Sequence, residues 1–141
     1  MINEHIYQHP GLKQDRALLE SIPGVGQVIS QHMVALLCSR SFDAASQCAA
    51  FLGLVPVQHE SGSSVRGRSR LSKAGNAQLR AKLYMAAIAA THHNPDIKVQ
   101  YERLLMHGKS RKSALCAAMR KLVQICFGVL KHQTLYLPQV T

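Results

Sequence analysis

The stretch LLESIPGVGQVISQHMVALL, residues 18–37, decides how the fold begins. A helical pattern ends at the turn SIPGVG, and a second helical pattern follows it, with apolar residues repeating at i, i+4 and i+8. Gly24 and Gly26 allow the backbone to turn tightly between the two patterns. The stretch therefore predicts a helix-hairpin-helix over residues 13–38.

Outward from this hairpin the pattern stays helical. Further helices are predicted over residues 43–52, 76–93, 95–107 and 110–131. Gly53 is expected to cap the first of these at its C-terminus, and Asn76 to cap the second at its N-terminus. The dipeptide Asn94-Pro95 supplies a cap and a first helical residue. The side chains expected to pack inward are Val28, Ile29, Met33, Leu36, Leu37, Leu79, Leu83, Ala86, Ala87, Ala90, Ile97, Tyr101, Leu104, Leu105, Leu115, Met119, Leu122, Ile125, Cys126 and Val129.

The predicted fold is mostly α and forms a single domain over residues 1–141. A length of 141 residues suits one domain that buries most of its surface without disulfides. The helix-hairpin-helix is followed by a small helical bundle over residues 76–132. Between them, residues 55–76 form a basic loop rich in Gly and Ser, which allows one short β-hairpin.

Basic residues concentrate in the second half of the chain. Residues 1–60 carry three basic and five acidic side chains, whereas residues 61–131 carry fourteen basic and two acidic ones, a net charge of +12. Such a cationic segment is typical of proteins that bind nucleic acid. A basic surface without a partner stays an alternative. A membrane surface is disfavoured, because no helix joins a basic face to exposed Trp or Phe.

The cysteine and hydropathy patterns indicate a cytoplasmic protein. No apolar stretch of the sequence approaches the roughly 20 residues of a membrane span, and the polar N-terminus does not resemble a signal peptide. Cys38, Cys48, Cys116 and Cys126 lie in apolar helical patterns without a C-x-x-C pair, so reduced core thiols are expected rather than metal ligands. The histidines lack zinc-site spacing, and no cofactor is expected in this chain.

The hairpin offers one candidate binding site. Gly24 and Gly26 are expected to expose backbone N–H groups at the start of the second helix, where a DNA phosphate can dock without base recognition. The alternative is an ordinary helical hairpin whose glycines serve only the turn.

A second candidate site is the stretch HESGSSVRGRSRLSKAGNAQLR, residues 59–80. The cations that could bind phosphate oxygens here are Arg66, Arg68, Arg70, Lys73 and Arg80. Residues 61–82 and 109–121 are expected to form one cationic groove. Ser61 is a candidate nucleophile, but a serine needs a base or a metal to take its proton. His59 and Glu60 are isolated, so an ordinary loop serine is the simpler interpretation of these residues alone.

Several motifs in fixed order make the chain similar to a known family. SIPGVG, AAFLGLVP, the Ser-Gly pair at 61–62, SKAGNAQLR, NP and YERLLMHGK resemble the C-terminal domain of the insertion-sequence transposases related to the Piv and MooV DNA invertases. These proteins are also known as bridge-RNA-guided recombinases. The resemblance covers residues from about 9 to 132. The family usually has alanine at the position of Ser30 and often a second glycine at the position of Ser63.

The resemblance implies a chemistry and a set of partners. In this family the serine of the Ser-Gly motif attacks the DNA backbone and holds it as a phosphoserine, and the matching residue here is Ser61. An upstream RuvC-like domain carries four carboxylates that bind Mg²⁺, and this domain is expected to be absent from the chain. DNA is the implied partner. A guide RNA, a RuvC-like domain in trans and a homo-oligomer are compatible with the resemblance.

The expected function is the DNA-binding C-terminal domain of a bacterial transposase or site-specific recombinase, truncated and inactive alone. Two alternatives stay open. One is a stand-alone helix-hairpin-helix protein that binds DNA as an accessory or regulatory factor without catalysis. The other is a structural helix bundle with an incidental charge.

Overall fold

The structure, a computed structural model, describes residues 10–39, 42–54 and 73–139, without the side chains of residues 10, 12 and 73–76. These ranges hold six helices and no strand. The helices are α1 (Pro10–Glu20), α2 (Gln27–Ser39), α3 (Ala45–Phe51), α4 (Lys73–His93), α5 (Pro95–Met106) and α6 (Arg111–His132). The prediction of a mostly α fold is confirmed. The short β-hairpin that the sequence allowed falls outside the described residues, apart from 73–76, which are helical.

Helix α6 forms the centre of the bundle. It packs against α1, α3, α4 and α5, while α2 packs against α1 and α4. Within the described ranges, α6 is the one helix that is long and apolar enough to cross a membrane. The sequence predicted no apolar stretch of that length. A core helix meets the same criterion, and eight residues of α6 are buried against the other helices.

Most of the predicted inward-facing residues are buried, and in α2 the exception is Val28. Val28 is 51% exposed, and the buried residues of this helix are Ile29, Ser30, Met33 and Val34. The apolar pattern alone favoured Val28 because a polar Ser30 was not counted as a core residue. Leu105, in the last turn of α5, was also predicted to pack inward and is 36% exposed.

Two of the three predicted helix caps are confirmed. Gly53 follows α3 with a φ of +75°, a left-handed conformation that L side chains rarely adopt. The Oδ1 atom of Asn94 accepts hydrogen bonds from the first amides of α5, those of Asp96 at 3.1 Å and Ile97 at 3.2 Å. Asn76 is not a cap, since α4 begins three residues earlier at Lys73.

The cysteines differ in their environments, and all four are free thiols. Cys48 and Cys126 are buried, and burial raises the pKa of their thiols to about 11 and about 12, respectively. They are the core thiols that the sequence predicted. Cys38, at the end of α2, is exposed, so the prediction of a core position is wrong for this residue.

Candidate nucleic-acid interface

The structure describes some of the predicted binding residues and not others. Ser61, Arg66, Arg68 and Arg70 lie outside the described residues. Lys73 is the first residue of α4, and its side chain is not described. Gly24, Gly26 and Arg80 lie in described parts of the chain, and they fall on two separate surfaces: the α1–α2 turn and the end of α3.

The α1–α2 turn is fixed against the bundle at Gly24. This residue has a φ of +101°, and a Cβ atom built on it would lie 2.8 Å from the Cβ atom of Ala90 in α4. The carbonyl of Pro23 accepts a hydrogen bond from the Nδ2 of Asn94 at 3.1 Å. Gly24 therefore serves both the turn and the close contact between the hairpin and α4.

Gly26, in contrast, faces open space at the start of α2. Gly26 is exposed, and a Cβ atom built on it would have no neighbour within 4 Å. The first intrahelical hydrogen bond of α2 runs from the amide of Ser30 to the Gly26 carbonyl, at 3.0 Å. The amides of residues 27–29 precede this bond and are the donors that a helix N-terminus leaves for a capping group or an anion. The first turn of α2 holds no acidic residue.

The two helices of the hairpin are joined by a polar contact at Ser30, the position where the resembling family usually has alanine. The Ser30 hydroxyl lies 2.9 Å from both the Oε2 atom of Glu20 and the carbonyl of Gln27. Arg16 donates to the same Glu20 oxygen at 3.0 Å, which balances the acidic charge near the turn. The serine thus links α1 to α2 and holds the Glu20 carboxylate, itself paired with Arg16, beside the first turn of α2.

Two arginines from different helices meet at the end of α3. The Nη1 atom of Arg80, in α4, donates to the carbonyl of Leu52 at 3.3 Å, and the Nη1 atom of Arg120, in α6, donates to the carbonyl of Leu54 at 3.1 Å. The sequence predicted Arg80 as a binding residue and placed residues 61–82 and 109–121 in one groove. Of the described basic residues in these two segments, Arg80 and Arg120 line the same groove, while the larger cationic groove stays a prediction.

The segment after α6, residues 133–139, forms hydrogen bonds to both the α1–α2 turn and α5. The sequence did not indicate these contacts. The backbone amide of Tyr136 donates to the hydroxyl of Ser21 in the α1–α2 turn at 2.9 Å. The Tyr136 hydroxyl donates to the Oδ2 atom of the buried Asp96, and the amide of Gln139 donates to the same carboxylate at 2.9 Å. Tyr136 and Asp96 are 40 residues apart, and helical periodicity relates only residues within a few turns of one helix. The sequence pattern therefore could not predict this contact.

Substitution of Tyr136 by phenylalanine tests this contact. At neutral pH we expect the free energy of unfolding to fall by about 1–2 kcal/mol, because the Asp96 carboxylate loses a donor. Burial, with Asp96 beside it, raises the pKa of the Tyr136 hydroxyl above its usual value. A raised folded-state pKa means that the stabilisation is present below about pH 10 and is lost as the pH rises further. Urea titrations should therefore show the two proteins converging above about pH 10, and parallel pH curves would contradict the contact.

Comparison with known proteins places the chain among mobile-element proteins. Residues 16–102 match the model of the Transposase IS116/IS110/IS902 family. The chain is 33% identical over 125 residues to a pilin gene-inverting protein of Moraxella bovis, covering 87% of this chain and 39% of that protein. It is 32% identical over 127 residues to a transposase for insertion sequence element IS1111A of Coxiella burnetii, covering 87% of this chain and 35% of that protein.

A third relative is an insertion element IS110 protein of 43.6 kDa from Streptomyces coelicolor, 30% identical over 120 residues, which cover 84% of this chain and 29% of that protein. The chain thus spans less than two-fifths of the length of these relatives. The family match covers the α1–α2 turn, Arg80 and the Asn94 cap, and extends over more than half of the sequence. The chain therefore belongs to the IS116/IS110/IS902 family of transposases.

Proposed function

We propose that this chain is the DNA-binding part of a transposase or site-specific recombinase, and that it contacts the DNA backbone through the α1–α2 turn. The main support for the proposal is the exposed start of α2, where Gly26 has open space around it and the first turn has no acidic residue of its own. The carboxylate of Glu20, which contacts Ser30 in this turn, is paired with Arg16. A phosphate could approach the backbone closely there and accept hydrogen bonds from the leading amides. Such contacts hold the duplex without reading its sequence.

The charge of the chain supports the same proposal. The +12 segment of residues 61–131 includes Arg80, Arg111, Lys112 and Arg120 within the described residues, and the arginines at 66, 68 and 70 outside them. Each phosphate that a basic side chain neutralises releases condensed counterions, which makes binding depend on salt. A structural helix bundle would show no such dependence.

We further propose that Ser61 is the nucleophile. Its hydroxyl oxygen would form an ester bond to a DNA phosphorus while one deoxyribose oxygen of that phosphate leaves, and the hydroxyl proton would pass to a base. This role comes from the resemblance of the Ser-Gly motif. A guide RNA, a homo-oligomer and a cytoplasmic location in bacteria belong to the same proposal. The stand-alone accessory protein differs from it only in lacking the serine chemistry.

The Mg²⁺ that the resemblance implies does not fit the described residues. A metal-assisted phosphoryl transfer needs several carboxylates facing one site. Among the side chains that the structure describes, no three His, Cys, Asp or Glu residues come together. Glu20 is paired with Arg16, and the Asp96 carboxylate accepts from Tyr136 and Gln139. We therefore assign Mg²⁺ to a RuvC-like domain supplied by a further part of the protein or in trans, and to no residue described in this chain.

The salt dependence of duplex binding tests the backbone contact. If about five phosphates are neutralised, the logarithm of the association constant should fall with the logarithm of salt concentration at a slope of about −4 to −5. Fluorescence anisotropy with a labelled duplex measures this slope. Joint replacement of Arg66, Arg68 and Arg70 by alanine should flatten it and weaken all duplex sequences alike. A slope near zero for the wild-type chain would exclude DNA binding through phosphates.

A matched pair of glycine substitutions tests the turn itself. Gly26→Val places a branched side chain over the leading amides of α2, so duplex affinity should fall about tenfold, as for a lost charge-assisted hydrogen bond. Gly11→Val is the control, because Gly11 lies near the start of α1 and, like Gly26, has no neighbour within 4 Å of its Cβ position. Unchanged duplex binding by a folded Gly26→Val protein would show that the turn has a structural role and does not contact DNA.

A further inference from the structure

A groove lies between α4 and α6, next to the end of α3. It encloses about 650 Å³ and is lined by Leu54, Arg80, Tyr84, Ser113, Met119 and Arg120, among others. We propose that this groove, named here the Arg80–Arg120 groove, accepts one unstacked nucleotide of a single DNA or RNA strand. Its phosphate would lie on the two guanidinium groups and its base on the ring of Tyr84. The proposal deepens the proposed function and rests on it for the class of ligand.

The charge of the groove favours an anion. Among the described residues that line it, none is acidic. The hydrogen bonds that the structure shows for Arg80 and Arg120 go to the carbonyls of Leu52 and Leu54, in contrast to Arg16, which is paired with a carboxylate. A guanidinium has five N–H donors, so each arginine keeps donors for a further acceptor. Two such groups in one groove match the oxygens of a phosphate.

The carbonyl contacts also fix the positions of the two guanidinium groups before a ligand binds. A long arginine side chain otherwise loses rotamer freedom when it takes up a phosphate. Here Arg80 is held against the backbone at Leu52 and Gly53, with its Nη1 atom 3.2 Å from the Cβ position of Gly53. The same contacts satisfy carbonyls at the C-terminal end of α3, which is a sufficient structural role for either arginine. The experiment must therefore separate capping from binding.

The aromatic side chain in the wall of the groove favours binding of an unpaired base rather than of a duplex. Tyr84 lines the groove and is 38% exposed, although it is a large aromatic residue in a helix with a buried opposite face. Nucleic-acid bases stack on such rings without regard to sequence. A volume of about 650 Å³ lies in the range of small-ligand sites. It suits one nucleotide, and only an unstacked base can offer its face to the tyrosine ring.

The groove also lies close in sequence to the proposed nucleophile. Leu54, which lines it, precedes Ser61 by seven residues. Seven extended residues span at most about 25 Å. Ser61 therefore lies no more than about 25 Å from Leu54, so the chain length allows the serine to meet a strand that is held in the groove.

Tryptophan substitution makes stacking directly visible, because the chain has no tryptophan of its own. In the full 141-residue chain, Tyr84→Trp should show strong fluorescence quenching on addition of an oligothymidine single strand. Met85→Trp is the matched control, since Met85 is 64% exposed on the same helix and does not line the groove. Its fluorescence should change little. Equal quenching at the two positions, or none at Tyr84→Trp, would overturn the stacking contact.

Affinity measurements complete the test. Tyr84→Leu should weaken oligothymidine binding about five- to a hundredfold, the loss expected for one stacked base, while Tyr84→Phe keeps the affinity. Duplex affinity should change less than twofold in both variants. Equal loss for single strand and duplex would overturn the proposal. A wild-type chain that binds the single strand but not the duplex would instead contradict the proposed duplex contact and leave the groove supported.

The arginines need a variant that separates phosphate binding from capping. Arg120→Gln removes the charge and keeps an amide N–H donor, on a side chain that ends two bonds short of the arginine Nη1 position. We expect a melting temperature close to that of the wild type and oligothymidine binding weakened at least fivefold. Unchanged single-strand binding by the folded Arg120→Gln protein would show that this arginine only caps α3 and would overturn its phosphate role.

Discussion

Replacement of Gly24 by alanine is expected to lower the free energy of unfolding by about 2–6 kcal/mol, a large part of the 5–15 kcal/mol typical of a small domain. Two costs add. The φ of +101° is unfavourable for any L side chain, and the new Cβ atom would lie 2.8 Å from the Ala90 Cβ and 3.1 Å from its Cα. Because Ala90 belongs to the long helix α4, its backbone cannot yield cheaply. Urea unfolding followed by far-UV circular dichroism measures the change.

The neighbouring glycine and a compensating substitution provide the controls. Gly26→Ala should change stability by less than about 0.5 kcal/mol, because its Cβ would meet nothing. The double variant Gly24→Ala/Ala90→Gly should recover the part of the loss that comes from the close contact, while the cost of the positive φ remains. Equal losses at Gly24 and Gly26 would contradict the packing of the turn against α4.

Replacement of Ser61 by alanine is expected to abolish covalent attachment to DNA completely. The effect requires the chain to be fused to a RuvC-like domain of a family member in the presence of Mg²⁺, because the described residues supply no metal site. The wild-type fusion should then yield a protein–DNA adduct that survives denaturant, and the Ser61→Ala fusion should yield none. Gel electrophoresis with labelled DNA detects the adduct.

Binding and stability should hardly respond to the same substitution. We expect duplex affinity to stay within about twofold, since basic side chains and backbone amides hold the phosphates, and stability to shift by a few tenths of a kcal/mol. Ser63→Ala serves as the control and should keep the adduct. An adduct that persists in the Ser61→Ala fusion would move the nucleophile to another serine. Efficient Mg²⁺-dependent cleavage by the unfused chain would contradict the proposal that the metal is held by a RuvC-like domain and by no described residue.

Features set by near neighbours in the chain could be predicted from the sequence. The helices follow the apolar periodicity, and the Gly53 and Asn94 caps depend on groups within five residues. Asn76 was predicted as a cap on the same kind of signal and is wrong. Asparagine is a residue type that is often found at helix N-caps, but Asn76 cannot be a cap because the helix already begins at Lys73.

The candidate site was predicted only in part. Gly24, Gly26 and Arg80 were identified from motif and charge, and the structure shows where each lies, while their roles in DNA binding stay predictions. Arg120 was included only as part of the segment 109–121, and Tyr84 was not singled out, because an aromatic residue in a helical pattern carries no mark of the groove that it lines. Ser61 stays a prediction as well, since it lies outside the described residues.

The sequence by itself determined the helical content, the cationic second half and the family. These properties depend on composition, on spacing over three or four residues and on motifs in fixed order. The tertiary structure decided which residues meet. Asn94 donates a hydrogen bond to the carbonyl of Pro23, 71 residues earlier in the sequence, and Arg120 donates one to the carbonyl of Leu54, 66 residues earlier. Helical periodicity assigns a residue to a face of its own helix, but only the packing of the helices determines what that face contacts.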